Sequence, residues 1–212
     1  MAQERVAALI LSLRRLMGDE YERDGNGTLI TNALTQNGEW TAQAMAGALV
    51  LACRKILHTA AAQLKDNVRL AAQFPEHLSQ ETLTFFTAST NYSKYELPDD
   101  FAYEVTARLR PEGNPTAYRV KFEPITLIDK TLEETNVEER RVPRAFIEGE
   151  YVVLALADDT YNHGDTNAFQ LRYLRTQPDI TVGTGAEDIL LRSQWDEMIL
   201  QFARAILLSF KE

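Results

Sequence analysis

The spacing of apolar residues changes twice along this chain: it is helical at both ends and alternating in the middle. Apolar residues recurring every three or four positions bury one stripe of a helix, whereas strict alternation buries one face of a strand, so the two patterns dictate different elements. Val6, Leu9, Ile10, Leu13, Leu16 and Met17 recur at helical spacing, and predict an amphipathic helix over Arg5 to Met17 that stops at Gly18. Asp19 to Gln36, with two glycines and several Asn, Asp and Thr residues, reads as a loop. Thr41 can cap a second helix running to about Asn67 or beyond. Its small residues permit close helix packing, and Ala44, Ala48, Val50 and Leu51 make its centre nearly apolar all round, a pattern that calls for burial on more than one side.

After Pro75 the pattern becomes β-like. Thr82 to Thr87 is rich in Thr and Phe, Phe101 to Arg110 places Tyr103, Val105, Ala107 and Leu109 on one face, and Ala117 to Glu123 alternates Tyr118, Val120 and Phe122 with charged residues. The turn residues Pro111-Glu112-Gly113-Asn114-Pro115 join the last two as a hairpin. Ile125 to Asn136 has helical spacing and Val137 to Pro143 is a charged connector. Arg144 to Ile147, Tyr151 to Ala157 and Phe169 to Leu174 read as further strands.

The helical period returns at the C-terminus, where Thr184-Gly185-Ala186-Glu187 fits a capping box before an apolar series from Ile189 to Phe210. The expected fold class is therefore α+β: a helical bundle formed by the N-terminal helices and a long C-terminal helix, with an antiparallel β domain inserted between them. The corresponding divisions are residues 1–80, 81–180 and 181–212.

With 22 basic and 31 acidic side chains the 212-residue chain carries a net charge of −9, which disfavours a dedicated DNA or RNA binder, because that affinity comes from Lys and Arg displacing counterions. The single cysteine, Cys53, excludes an intramolecular disulfide and a cysteine zinc cage, and on an apolar helix face it reads as a small buried hydrophobe. The longest apolar run, Ala44 to Cys53, is too short to span a bilayer, and the N-terminus lacks a basic signal-peptide region, so the expected address is the cytoplasm of the cell that makes it. Glu22, Asp24, Asn26 and Gly27 match the opening of a calcium loop, but its twelfth position is Ala33 instead of the bidentate Glu. His58, His77 and His163 have no metal-ligand spacing, and the chain has neither a nucleophile elbow nor a phosphate-binding glycine loop. No catalytic residue, metal or cofactor is expected.

One stretch is more specific. Tyr95-Glu96-Leu97-Pro98-Asp99-Asp100-Phe101, between two strand-like segments, resembles the Y-x-L-P-x-D-F entry to the β domain in head-to-tail adaptor proteins of tailed bacteriophages, the tail tubular protein A type included. Here Pro98 sets an extended corner, Asp99 or Asp100 can hydrogen-bond the turn, and Tyr95 and Phe101 anchor its two sides. Ile147 to Leu154 and Phe169 to Leu174 are similar to the family's following hairpin and strand, whereas Thr126 to Arg141 has no counterpart in it.

The resemblance implies a structural role without enzymatic activity: a homo-oligomeric ring of about twelve subunits that docks on the portal protein and carries a tail protein, nozzle or tube. Its place would be the head–tail interface of the virion, after assembly in the host cytoplasm, with DNA only as passing cargo and no membrane partner. Glu133, Glu134, Arg140 and Arg141 form a charged extension expected to reach a neighbouring subunit. The alternatives are another tail-associated structural protein, such as a tail terminator, and a soluble hydrolase working through carboxylates.

Overall fold

The computed structural model describes residues 2–18, 40–64, 66–88, 92–127, 143–155, 167–183 and 188–210. The chain divides into two compact units, one made of Met1–His77 together with Thr176–Glu212, the other of Leu78–Arg175. The loop at Asp19 to Gln36, with the rejected calcium positions, and the capping box at Thr184 lie outside the described residues, as does most of the segment from Thr126 to Pro143.

In the first unit, α1 (Ala2–Met17), α2 (Ala42–Leu64) and α4 (Asp196–Ser209) pack on one another, and α3 (Asn67–Gln73) follows α2. Helix α1 turns Val6, Leu9, Ile10 and Leu13 inward and ends at Gly18, whose φ of +69° suits the residue after a helix C-terminus. The Thr41 hydroxyl accepts from Ala44 N at 3.1 Å, the N-cap expected of it. The single helix expected to run to about Asn67 or beyond is interrupted: α2 stops at Leu64, and the Asp66 carboxylate caps α3 by accepting from Val68 N and Arg69 N at 3.0 and 3.2 Å.

Helix α2 is long and apolar enough to cross a membrane by length and composition, yet half of its most apolar window is buried within the protein. Arg54 and Lys55 lie at its middle, where a bilayer would penalise them, so α2 is a core helix. Its side chains also strap the segment leading to α4. Gln43 Nε2 donates to Ile180 O and its Oε1 accepts from Val182 N, at 2.7 and 2.9 Å, while Arg54 Nε donates to Gln177 O at 2.9 Å. Gln177 is fully buried and satisfied, donating to Asp188 O at 3.0 Å and accepting from Leu190 N at 2.8 Å. Those bonds keep residues 188–192 in a bent, non-helical path, so the helix expected to follow a cap at Thr184 begins only at Asp196, after a 3-10 turn over Ser193–Trp195. Arg5 fixes this start, donating to Ile189 O at 3.1 Å and pairing with Asp196 at 2.6 Å.

The second unit holds β1 (Leu78–Thr82), β2 (Phe85–Ala88), β3 (Tyr92–Glu96), β4 (Phe101–Arg110), β5 (Tyr118–Phe122), β6 (Arg144–Glu148), β7 (Tyr151–Ala155) and β8 (Ala168–Arg175). They form one eight-stranded sheet in the order β1-β8-β4-β5-β6-β7-β3-β2. The expected hairpins are present: β4 pairs with β5 and β6 with β7, the latter through a tight Gly149-Glu150 turn with Gly149 at φ +60°.

The expected fold class is nevertheless overturned. The sheet is mixed and curled, with β6 running parallel to β5, so the chain is not a helical bundle carrying an antiparallel β insertion. The reason lies in the connection between Phe122 and Arg144, which returns the chain to the start of a neighbouring strand in the same direction, as a crossover does and a hairpin cannot.

Curling follows from chain length. Laid flat, eight strands would put β1 and β2 about 34 Å apart, whereas the chain from Thr82 to Phe85 reaches at most about 10 Å. The two edge strands are instead one bent segment that passes from one partner to the other: Leu83 N donates to Phe169 O of β8, and the next residue, Thr84, offers its O to Glu96 N of β3, both at 2.9 Å. Tyr95 stacks on Phe169 beneath this corner, with ring centroids 5.0 Å apart. Bulges in the β4–β8 and β2–β3 ladders supply further bending. Leu109, Val152, Leu154, Leu171 and Tyr173 fill the interior with them.

Candidate functional site

The residues of the Y-x-L-P-x-D-F stretch converge on one corner of the sheet unit. Strand β3 ends at Glu96, the chain turns through Leu97-Pro98-Asp99-Asp100, and β4 begins at Phe101. The turn is closed by Phe101 N donating to Pro98 O at 2.9 Å, and it is tied to the β6–β7 hairpin by Leu97 N donating to Glu150 O, also at 2.9 Å. Between corner and hairpin tip lies a cleft of about 380 Å³ lined by Glu96, Leu97, Pro98, Asp99, Phe101, Gly149, Glu150 and Tyr151. Its carboxylates, Glu96, Asp99 and Glu150, are exposed, while Leu97, Pro98, Phe101 and Tyr151 are half-buried.

The two aspartates of the corner divide their roles. Asp99 faces solvent in the cleft, whereas Asp100 turns toward β8, where its Oδ1 accepts from the Tyr173 hydroxyl at 2.8 Å. Glu81 Oε1 on β1 stands 3.0 Å from the same hydroxyl, and the Ser79 side chain hydrogen-bonds it too. Burial pushes the Tyr173 hydroxyl up, and the Asp100 and Glu81 carboxylates reinforce this against the opposing Ser79 bond, so the group remains a donor at neutral pH. Phe101 packs on the Tyr173 ring at a centroid distance of 5.9 Å. Asp100 and Phe101 thus grip the same tyrosine, one by its hydroxyl and one by its ring.

Tyr95 faces the interior, fully buried, with Phe85 edge-on at 5.8 Å and Phe169 stacked. Its hydroxyl has no partner among the described residues, and burial pushes its pKa up to about 12. At the other side of the hairpin Lys94 pairs with Glu148 at 2.5 Å and lies 6.0 Å over the Tyr151 ring, so this cation is already engaged outside the cleft.

Glu133, Glu134, Arg140 and Arg141 lie outside the described residues, as does His163. His58 is exposed on α2, and His77 is buried beside Phe74, both in the first unit. Cys53 is fully buried, and burial pushes its thiol up to about 12, which makes it an unreactive core residue at neutral pH. Among the described residues no three His, Cys, Asp or Glu side chains are placed to hold a metal ion. The cleft can accept a polar or cationic group against an apolar floor. Another cavity, of about 570 Å³, is lined by Trp195, Met198 and Phe202 at the start of α4.

Sequence reasoning missed Tyr173 as the partner of Asp100, and Ser79 and Glu81 as the other groups on its hydroxyl, because the strand β1 that carries those two is polar and half-exposed, without an apolar alternation to announce it. It also missed Glu123, whose carboxylate bridges Lys121 at 2.5 Å and Arg144 across the β5–β6 junction. Those two cations hold Glu123 below the ordinary glutamate range although burial opposes them. Compared with known proteins, the chain matches no family model and no curated protein.

Proposed function

We propose that this chain is a structural virion protein, a head-to-tail adaptor whose copies form a ring on the portal protein and link the capsid to the tail. The observation that carries the reading is the corner: Tyr95 is committed to the interior, Pro98 closes the turn, and Asp100 and Phe101 are both committed to Tyr173. The residues that make up the resemblance act together as one structural unit. The reading rests on this corner and not on the architecture, since the mixed sheet departs from the expected one.

Two further features support it. A net charge of −9 suits a conduit through which DNA must pass without sticking, because carboxylates repel phosphate. Partly exposed apolar side chains on α4, Met198 and Leu208 among them, supply surface of the kind a subunit in a closed ring covers with its neighbour. Negative-stain electron microscopy of the purified protein with and without portal complexes tests the proposal. A ring added beneath the portal is the expected result. Binding to tail tubes without affinity for portal would replace it with a tail-terminator role, and binding to neither would remove the virion reading and direct attention to hydrolase assays.

A further inference from the structure

We propose that the sheet unit opens along the seam between β5 and β6, hinged at the Leu83–Thr84 corner, while its two antiparallel halves, β1-β8-β4-β5 and β6-β7-β3-β2, stay intact. The seam is the shortest ladder in the sheet, with two residue pairs, Lys121↔Arg144 and Phe122↔Ala145, against eight between β4 and β8 and five between β6 and β7. The next shortest inside either half, three pairs for β4–β5 and three for β2–β3, each join strands adjacent in the chain. No tight turn closes the seam, because β5 and β6 run parallel.

Packing is distributed in the same sense. Beside the corner the interior is held by the fully buried, stacked rings of Tyr95 and Phe169, whereas at the seam only Val120 and Ala145 are fully buried, with less surface to bury, and the Phe122 ring is partly exposed. The seam is fastened instead by charge: Glu123, with its side chain 10 % exposed, sits between Lys121 of β5 and Arg144 of β6, whose side chain is 14 % exposed. An ion pair of this kind holds the closed form but loses little when water enters, since its charges are rehydrated on opening. Large rings at one end and a charged clasp at the other make a hinge and a catch. The inference is independent of the adaptor reading.

Hydrogen exchange on the full chain, read at peptide resolution by mass spectrometry, tests it. Strands β5 and β6 are the two central strands of the order, where a uniform sheet is best protected, so the expected result inverts that pattern. The amides of Lys121 and Glu123, which donate to Pro143 O and Ala145 O, exchange at least about tenfold faster than those of β8, with little dependence on dilute urea. Arg144→Met accelerates the seam amides further and leaves β8 unchanged. Equal rates at the seam and in β8, faster exchange in β8, or a variant that leaves the seam unchanged or accelerates both regions alike would overturn the proposal.

Discussion

Replacing Tyr173 with phenylalanine removes one oxygen from a fully buried ring and leaves the ring in place, so no cavity is created and the cost is that of the hydroxyl alone. That hydroxyl has two carboxylate neighbours, Asp100 at 2.8 Å and Glu81 at 3.0 Å, but only one proton to donate. One charge-assisted hydrogen bond, and not two, is therefore lost together with the neutral Ser79 bond to the same oxygen, a loss of about 2–3 kcal/mol. Glu81 is exposed and exchanges its contact for water, whereas half-buried Asp100 regains solvation only in part, so the cost concentrates on Asp100. Urea unfolding of the wild type, Tyr173→Phe, Asp100→Asn and the double variant measures this. The expected coupling between the two substitutions is about 1–2 kcal/mol. A single-variant cost below about 0.5 kcal/mol, or substitutions that simply add, would refute the claim that the corner is held through this bond.

Other consequences can be measured on the same material. Tyr95→Phe deletes a buried hydroxyl that has no partner among the described residues, so stability is expected to stay level or rise by up to about 1 kcal/mol in urea unfolding. Glu123 has a depressed folded-state pKa, so its contribution is complete above the ordinary glutamate range and is lost as pH falls through the lower folded value. Acid titration of thermal stability should therefore show a decline below about pH 4.5 that is shallower in Glu123→Gln, which is already destabilised at neutral pH. Cys53 should resist thiol reagents at pH 8 in the native protein and react fully in denaturant, because burial both shields it and raises it to about 12.

Local signals were legible where one face of an element meets the core. Helix α1, the long strand β4 and its hairpin to β5 follow directly from the spacing of Val6 to Leu13 and of Ala107 and Leu109, because those side chains are buried. The exceptions are elements whose reason lies elsewhere in the chain. Strand β1 is polar and exists because β8 pairs with it, and the non-helical path through Asp188 to Leu190 exists because a buried glutamine 11 residues away from Asp188 supplies its hydrogen bonds. The parallel junction could not be read at all, since strand direction is set by a connection and not by the pattern of the strands it joins. At the candidate site the corner residues were legible as a turn between strands, because Pro98 and the paired aspartates carry turn chemistry. Their partner Tyr173 was not, because nothing in a sequence records which tyrosine lies across a sheet.

The corner at Leu83–Thr84 also ties two ladders to one count. The chain there is paired with β8 up to Leu83 and with β3 from Thr84 onward, so β8 and β3 read a single frame from opposite sides. Alternation runs unbroken through the handover, with Leu83 and Phe85 turned inward and Thr84 and Phe86 outward. One residue added at this point would leave β1 in phase and reverse the sense of β2, presenting Phe86 to the interior and Phe85 to water. A length change at this corner therefore has to be absorbed by shifting β2 against β3, as the bulge between Phe85 and Thr87 already does, whereas a substitution that keeps the inward and outward sense leaves both ladders in register.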